Sequence, residues 1–382
     1  MTSVAPKTLE QVQANLRNRL ESRKAPFHVT DVEAAAKAIE SLRGIDGENW
    51  GAAWYAAGQE FEKAAEQQES AGQLESASEL YFKAYGLYHA GRYPVPNHPS
   101  KMQCYRKSQY CYVKGGQLAA NKIESVTVPF DGRENEGKEV TFYVRRRHEA
   151  KPSPVVVRWS GIDTWKEERK DIDDKLFEAG FSVITMDMPG TGDAPVLVSQ
   201  DGERQFVPVL DWISTQPEFD PSRVILIGMS WGGYWATKLA YMYSHRLAGV
   251  VNWAGPIHFG FDRDWLLQSQ HADSYLMDIQ SARARCVGGS TYETYIDAAS
   301  KLSLLNAGLL DNAHPPMLLM NGDADKQQPF DDFKLLCLSG KPKSMRLFPG
   351  GHMGYTRETI PSLIDWIRGV AGLPDGNSEK LQ

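Results

Sequence analysis

Three short segments, far apart in the chain, carry residue types that together could activate a hydroxyl group. The first is Gly228-Met229-Ser230-Trp231-Gly232, which follows the apolar run Val224-Ile225-Leu226-Ile227. A helical pattern comes next, through Tyr234, Lys238, Leu239, Tyr241 and Met242 to about Ser244. A serine on a sharp strand-to-helix turn is held in a strained backbone conformation, so its neighbours two places either side must be small. Such a turn exposes the hydroxyl and aims the next N–H, that of Trp231, at the reacting oxygen. The helix behind it adds the positive end of its dipole. An ordinary glycine-rich turn would share the five-residue pattern; the strand before it and the helix after it favour a nucleophile.

A serine hydroxyl attacks only when a base removes its proton, and the base needs an acid to fix its tautomer. In enzymes with this kind of turn the acid and then the base follow the serine along the chain. After the apolar run Pro316-Met317-Leu318-Leu319-Met320 comes Asn321-Gly322-Asp323-Ala324-Asp325-Lys326-Gln327-Gln328-Pro329. Asp325 fits the spacing of an acid presented at the end of a strand, and Asp323 is the alternative. After Ser344-Met345-Arg346-Leu347-Phe348 comes Pro349-Gly350-Gly351-His352-Met353-Gly354, whose glycines let a loop fold the His352 imidazole back as general base. His258, His271 and His314 read as pocket or surface residues, and His271-Ala272-Asp273 is too slight for a metal site. The oxyanion needs a second N–H besides that of Trp231. The turn Arg158-Trp159-Ser160-Gly161-Ile162-Asp163-Thr164-Trp165 supplies it, from Ile162 or else Gly161. Thr164 and Glu167 read as a capping box for a helix over 166–179. Asp187-Met188-Pro189-Gly190-Thr191-Gly192-Asp193 reads as a tight loop shaping the pocket floor; it lacks the Lys-Ser/Thr ending of a phosphate loop.

Positioning these segments takes a sheet. Residues 1–122 read as a helical domain, with a capping box at Thr8-Leu9-Glu10-Gln11 and a strong apolar stripe from about Ser70 to Gly91. From about Ile123 strand and helix patterns alternate through residues 123–382. Strands fall near 125–130, 140–144, 155–157, 181–186, 224–227, 249–253, 316–320 and 344–348. Helices fall near 205–215, 330–338 and 357–370. Such alternation predicts an α/β domain, a mostly parallel sheet with helices on both faces. Residues 254–314 hold no clear strand and read as a helical insertion over the active site.

At 382 residues, 42% hydrophobic and 24% charged, the chain has the composition of a soluble globular protein. A net charge of −6 argues against nucleic-acid or anionic-membrane partners. No apolar run is long enough to span a bilayer, and Met1 to Lys7 lack the pattern of a signal peptide. Cys104, Cys111, Cys286 and Cys337 are scattered without metal-site spacing and read as reduced thiols of a cytoplasmic protein. No cofactor or metal is expected.

Four segments carry a family resemblance: residues 161–168 (Gly-Ile-Asp-Thr-Trp-Lys-Glu-Glu), 187–192 (Asp-Met-Pro-Gly-Thr-Gly), 228–233 (Gly-Met-Ser-Trp-Gly-Gly) and Gly350-Gly351-His352. Together they resemble the 2,6-dihydroxypseudooxynicotine hydrolase branch of the α/β-hydrolases. The chain is similar as well to fermentation-respiration-switch esterase-like proteins and fungal pigment polyketide-shortening hydrolases. Upstream, residues 89–96 resemble the helical N-terminal domain of that branch. Its oxyanion turn usually reads Gly-Gly-Leu-Asp-Ser where this chain has Ser160-Gly161-Ile162-Asp163-Thr164. The resemblance implies an α/β-hydrolase fold and a small acyl or ketone substrate. It also implies N-terminal helices that cover the site and help form a homodimer. The activity expected is hydrolysis of a carboxylic ester of an aromatic or bulky compound. Cleavage of a carbon–carbon bond beside a ketone, acyl transfer to another acceptor, and a non-catalytic binding protein on the same fold are the alternatives.

Overall fold

The computed structural model describes residues 8–199, 201–270 and 276–374, so the expectations for Met1 to Lys7 and for His271 and Asp273 lie outside the described residues. The chain divides into two compact units. One takes Met1–Ser125, Glu167–Asp171 and Tyr275–Ile279; the other takes Val126–Lys166, Ile172–Ser274 and Gln280–Gln382.

The first unit is helical: α1 (Leu9–Glu21), α2 (Val32–Ser41), α3 (Gly47–Ser70), α4 (Leu74–Arg92) and α5 (Pro99–Leu118). Side chains fix the helix starts. Thr8 and Gln11 exchange the two bonds of a capping box, and Asp31 and Asp46 cap α2 and α3. The stripe read from about Ser70 belongs to α4 alone, because Ser70 closes a separate long helix and Ala71-Gly72-Gln73 turns the chain. The core holds Leu16, Ile39, Trp50, Trp54, Leu87 and Tyr93. Two buried carboxylates here are matched inside the unit. Glu62 accepts from the Tyr88 hydroxyl at 2.5 Å and from Lys107 at 2.6 Å. Glu168 takes Arg92 and lies 3.1 Å from His89 Nε2.

The second unit is built on one sheet, ordered β1-β2-β4-β3-β5-β6-β7-β8. Its strands are β1 (Glu124–Pro129), β2 (Glu139–Arg145), β3 (Ser153–Trp159), β4 (Ser182–Met186), β5 (Phe219–Met229), β6 (Gly249–Trp253), β7 (Met317–Gly322) and β8 (Ser344–Phe348). From β4 through β8 every neighbour is parallel; β2 runs antiparallel to β4. Parallel strands covered on both faces are apolar along their whole length, and β3, β4, β6 and β7 are buried throughout. On one face Ile225, Ile227, Val251, Trp253, Leu318 and Met320 pack with α6 (Lys170–Glu178) and α13 (Thr359–Val370). On the other face Trp212 of α7 (Val207–Thr215) meets Phe142 of β2 at 5.0 Å. There too α8 (Gly232–Met242) is tied to β6, where Asn252 donates to Thr237.

One local expectation fails. The helix expected from residue 166 starts at Lys170, so Thr164 and Glu167 form no capping box. Arg169 sits at φ 67, a left-handed conformation that cannot lie inside a helix. Just before it, the N–H of Lys166 donates to Asp187 at 2.9 Å and its ammonium donates to the same carboxylate at 2.7 Å. That tertiary anchor turns the chain where the local pattern predicts helix. The stretch between β6 and β7 carries α9 (Arg263–Ser269), α10 (Ile279–Cys286) and α11 (Tyr292–Ala299), and no strand among the described residues. No helix among them is long and apolar enough to cross a membrane.

Candidate active site

The loops that follow β3, β5, β7 and β8 leave the sheet at its carboxyl edge, where open α/β sheets offer a crevice. Ser230 stands at the end of β5 with φ 53, a left-handed conformation that a serine adopts only under constraint. Its own N–H donates to the Trp253 carbonyl at 2.7 Å, and its carbonyl accepts from Gly233 at 2.8 Å. The turn is so tight that side chains are excluded on both sides. A Cβ at 228 would lie 2.2 Å from the Gly232 carbonyl oxygen, and one at 232 would lie 2.5 Å from that of Ser160.

Ser230 Oγ lies 2.7 Å from His352 Nε2, and His352 Nδ1 lies 2.8 Å from Asp325 Oδ2. The carboxylate can only accept, so Nδ1 carries the imidazole proton and Nε2 is left to accept from the serine. Asp325 is fixed in turn. Its Oδ1 accepts from the N–H groups of Gln327 at 2.7 Å and Gln328 at 3.3 Å, and Oδ2 accepts from Asn321 at 2.8 Å. Burial pushes its pKa upward, but the charge of His352 and these hydrogen bonds outweigh that and hold the carboxyl below its ordinary value. The Asp325 side chain is 3% exposed and that of His352 12% exposed, so the pair is shielded but the ring is still reachable.

Asp323 is elsewhere. It is exposed, and its Oδ1 accepts from the Gly350 N–H at 3.0 Å, at the foot of the loop that carries His352. On the opposite wall the turn after β3 closes against the serine. A Cβ at Gly161 would come within 3.0 Å of Ser230 Oγ and 3.4 Å of the Trp231 nitrogen. Ile162 is next in that turn, and its carbonyl accepts from Trp165 Nε1 at 3.0 Å. The start of α8 behind Trp231 brings the positive end of a helix dipole to the same place.

His258 and His314, read from the sequence as pocket or surface residues, have other partners. His258 Nδ1 meets Ser303 Oγ at 2.7 Å, and buried His314 meets the Pro315 carbonyl at 2.8 Å. The Asp187 carboxylate grips the turn after β3 through Lys166 and its own loop through the Asp193 N–H at 3.0 Å. Among the described residues, no group of three His, Cys, Asp or Glu could hold a metal ion.

Three contributors escape sequence reasoning. Asn321 ties the acid loop to the histidine loop. Asp332 accepts from the N–H groups of Ile257, His258, Phe259 and Gly260, and so anchors the chain leaving β6. Tyr295 of α11 accepts from Trp231 Nε1 at 2.7 Å, and Phe261 packs edge-on against the same indole. Only Asn321 left a local signal, as the one polar side chain near the end of an otherwise apolar strand.

A family profile described as Esterase FrsA-like matches residues 11–368. Esterase FrsA of Vibrio vulnificus is 26% identical over 305 residues, covering 78% of this chain and 70% of the relative. Esterase FrsA of Photobacterium profundum is 25% identical over 351 residues, covering 89% and 80%. In fold the chain is similar to 2,6-dihydroxy-pseudo-oxynicotine hydrolase, with TM-score 0.76 at 20% identity over 94% of this chain and 96% of that one. It is similar to AbyA5 as well, with TM-score 0.72 at 19% identity over 92% and 95%.

Proposed function

The chain belongs to the esterase FrsA-like family and is an α/β-hydrolase, and on that premise we propose that it is a serine hydrolase with Ser230 as nucleophile, His352 as base and Asp325 as its partner. One observation carries the reading: an unbroken relay of short contacts from a strained, partly exposed serine through the imidazole to a buried carboxylate.

Ser230 Oγ attacks the substrate carbonyl carbon while its proton passes to His352 Nε2. Negative charge gathers on the carbonyl oxygen, where the N–H groups of Trp231 and Ile162 receive it. Asp325 steadies the imidazolium across Nδ1 without taking its proton. Collapse of the intermediate expels the alkoxide, which leaves with the proton from Nε2, and an acyl group remains on Ser230. Water, deprotonated by His352, attacks that acyl carbon; the acid is released and Ser230 recovers its proton. The substrate class proposed is a carboxylic ester of an aromatic or bulky compound. The helical unit serves in this reading as dimer surface, which light scattering of the purified chain tests.

Ser230→Ala should abolish hydrolysis of aryl esters and labelling by a fluorophosphonate, while circular dichroism stays unchanged. Retention of substantial turnover would refute the assignment of the nucleophile.

A further inference from the structure

Hydrogen bonds from Asn321 reach both loops that the proposed mechanism needs, although no step of it uses this residue. Asn321 is the penultimate residue of β7 and is 3% exposed. Its amide oxygen accepts from two backbone N–H groups, that of Gly322 at 2.8 Å and that of Met353 at 3.0 Å. Two backbone donors require an acceptor between them, so the amide orientation is fixed and its NH2 must face the other way. There it donates to Asp325 Oδ2 at 2.8 Å, the same oxygen that accepts from His352.

Met353, directly after His352, is held at φ 70, where a side-chain-bearing residue stays only if its surroundings impose it. Asn321 binds its N–H, and Trp253 Nε1 donates to its carbonyl at 2.7 Å. One end of the Asn321 amide therefore sets where the imidazole is carried, and the other sets where its carboxylate partner points.

We propose that Asn321 is a positioning residue that sets the spacing of His352 and Asp325, and that its NH2 donation to Asp325 is the part of this role that catalysis needs. The inference rests on the serine-hydrolase reading above. The charged groups around it are Asp325 and His352, with Asp323 and Lys326 exposed on the acid loop and Arg346 exposed on β8.

The test uses two variants of the full chain, an aryl acetate as substrate, a fluorophosphonate as active-site label, and pH 5.5 to 8.5. Asn321→Leu removes both ends of the amide. It should lower kcat about 10- to 100-fold at every pH, with KM changed less than about threefold, as expected when reacting groups are misplaced rather than binding lost. Asn321→Asp is nearly isosteric and keeps an acceptor for the Gly322 and Met353 N–H groups. It puts a second carboxyl against Asp325, and two carboxyls in contact share a proton. At pH 8 the donation is lost, and activity should fall about 100-fold relative to the unaltered chain at that pH. Toward pH 5.5 the introduced carboxyl gains a proton that it can donate, so the deficit should shrink to about 10-fold or less.

A loss from folding damage alone would not recover in acid. If Asn321→Leu does not fold, Asn321→Asp decides. A kcat within twofold of the unaltered chain for Asn321→Leu, or an Asn321→Asp deficit constant with pH, overturns the proposal while Ser230 still takes the label. An unaltered chain whose Ser230 takes no label overturns the underlying reading instead.

Discussion

Asp325 and Asp332 are buried carboxylates on one short stretch of chain, and they behave in opposite ways. Asp332 is wholly inaccessible and gathers four backbone N–H groups from the segment after β6. Even so, burial dominates and pushes its pKa upward, against the pull of those donors. Asp325 has fewer backbone donors, and burial pushes it upward as well, yet it ends below its ordinary value because His352 stands against it. Backbone donors make a buried carboxylate tolerable; the added interactions with His352 and Asn321 keep Asp325 ionic. The first carboxyl knots the fold together. The second is the one that the proposed mechanism asks to steady a positive charge on His352.

The largest test of that contrast is Asp325→Asn, which should lower kcat on an aryl ester by about 10³- to 10⁴-fold, because the amide favours the wrong imidazole tautomer. A greater loss from Asp323→Asn would overturn the pairing. Asp332→Asn should leave turnover per folded molecule within a few-fold but cost about 1.5–3 kcal/mol in urea unfolding.

Acid should then separate the two variants. With its pKa lowered by folding, Asp325 contributes stability that is present above the ordinary carboxylate value and lost as pH falls through its folded value. The Tm gap between the unaltered chain and Asp325→Asn should therefore narrow in acid. With its pKa raised, Asp332 contributes stability that is full below the ordinary value and lost as pH rises through the folded value. The gap for Asp332→Asn should be widest in acid. Calorimetry across pH 3 to 8 reads both, and parallel trends would break the comparison. The smallest effect is expected at Asp323→Asn, where one exposed bond to Gly350 is weakened and kcat should change less than about twofold.

The sheet is easily read from the chain for a physical reason. Strands buried on both faces are continuous apolar runs, so residues 249–253 coincide with β6, while residues 344–348 coincide with β8, an edge strand of which only Phe348 is buried; the helix at 330–338 coincides with α12 (Phe330–Leu338). What local pattern misses is what distant partners decide. The start of α6 is set by Asp187 seizing Lys166 and by the left-handed turn at Arg169. The separate helix α3 hides because small and polar residues, such as Gly51, Gly58 and Glu62, occupy its buried face. In the site, glycine spacing marks the turn at Ser230, and the order of loops points to residues 325 and 352. Asp332 and Tyr295 stay silent, since each acts across a gap in sequence that no local pattern spans, and Asn321 shows only as a polar residue near the end of an apolar strand while its bond to Met353 stays hidden.

Trp231 contributes its backbone to one task and its indole to another. Its N–H is the proposed receiver of oxyanion charge, while its ring holds α11 through Tyr295. Those duties cannot be tuned separately, because any replacement side chain that loosens the insertion also disturbs the peptide beside the nucleophile.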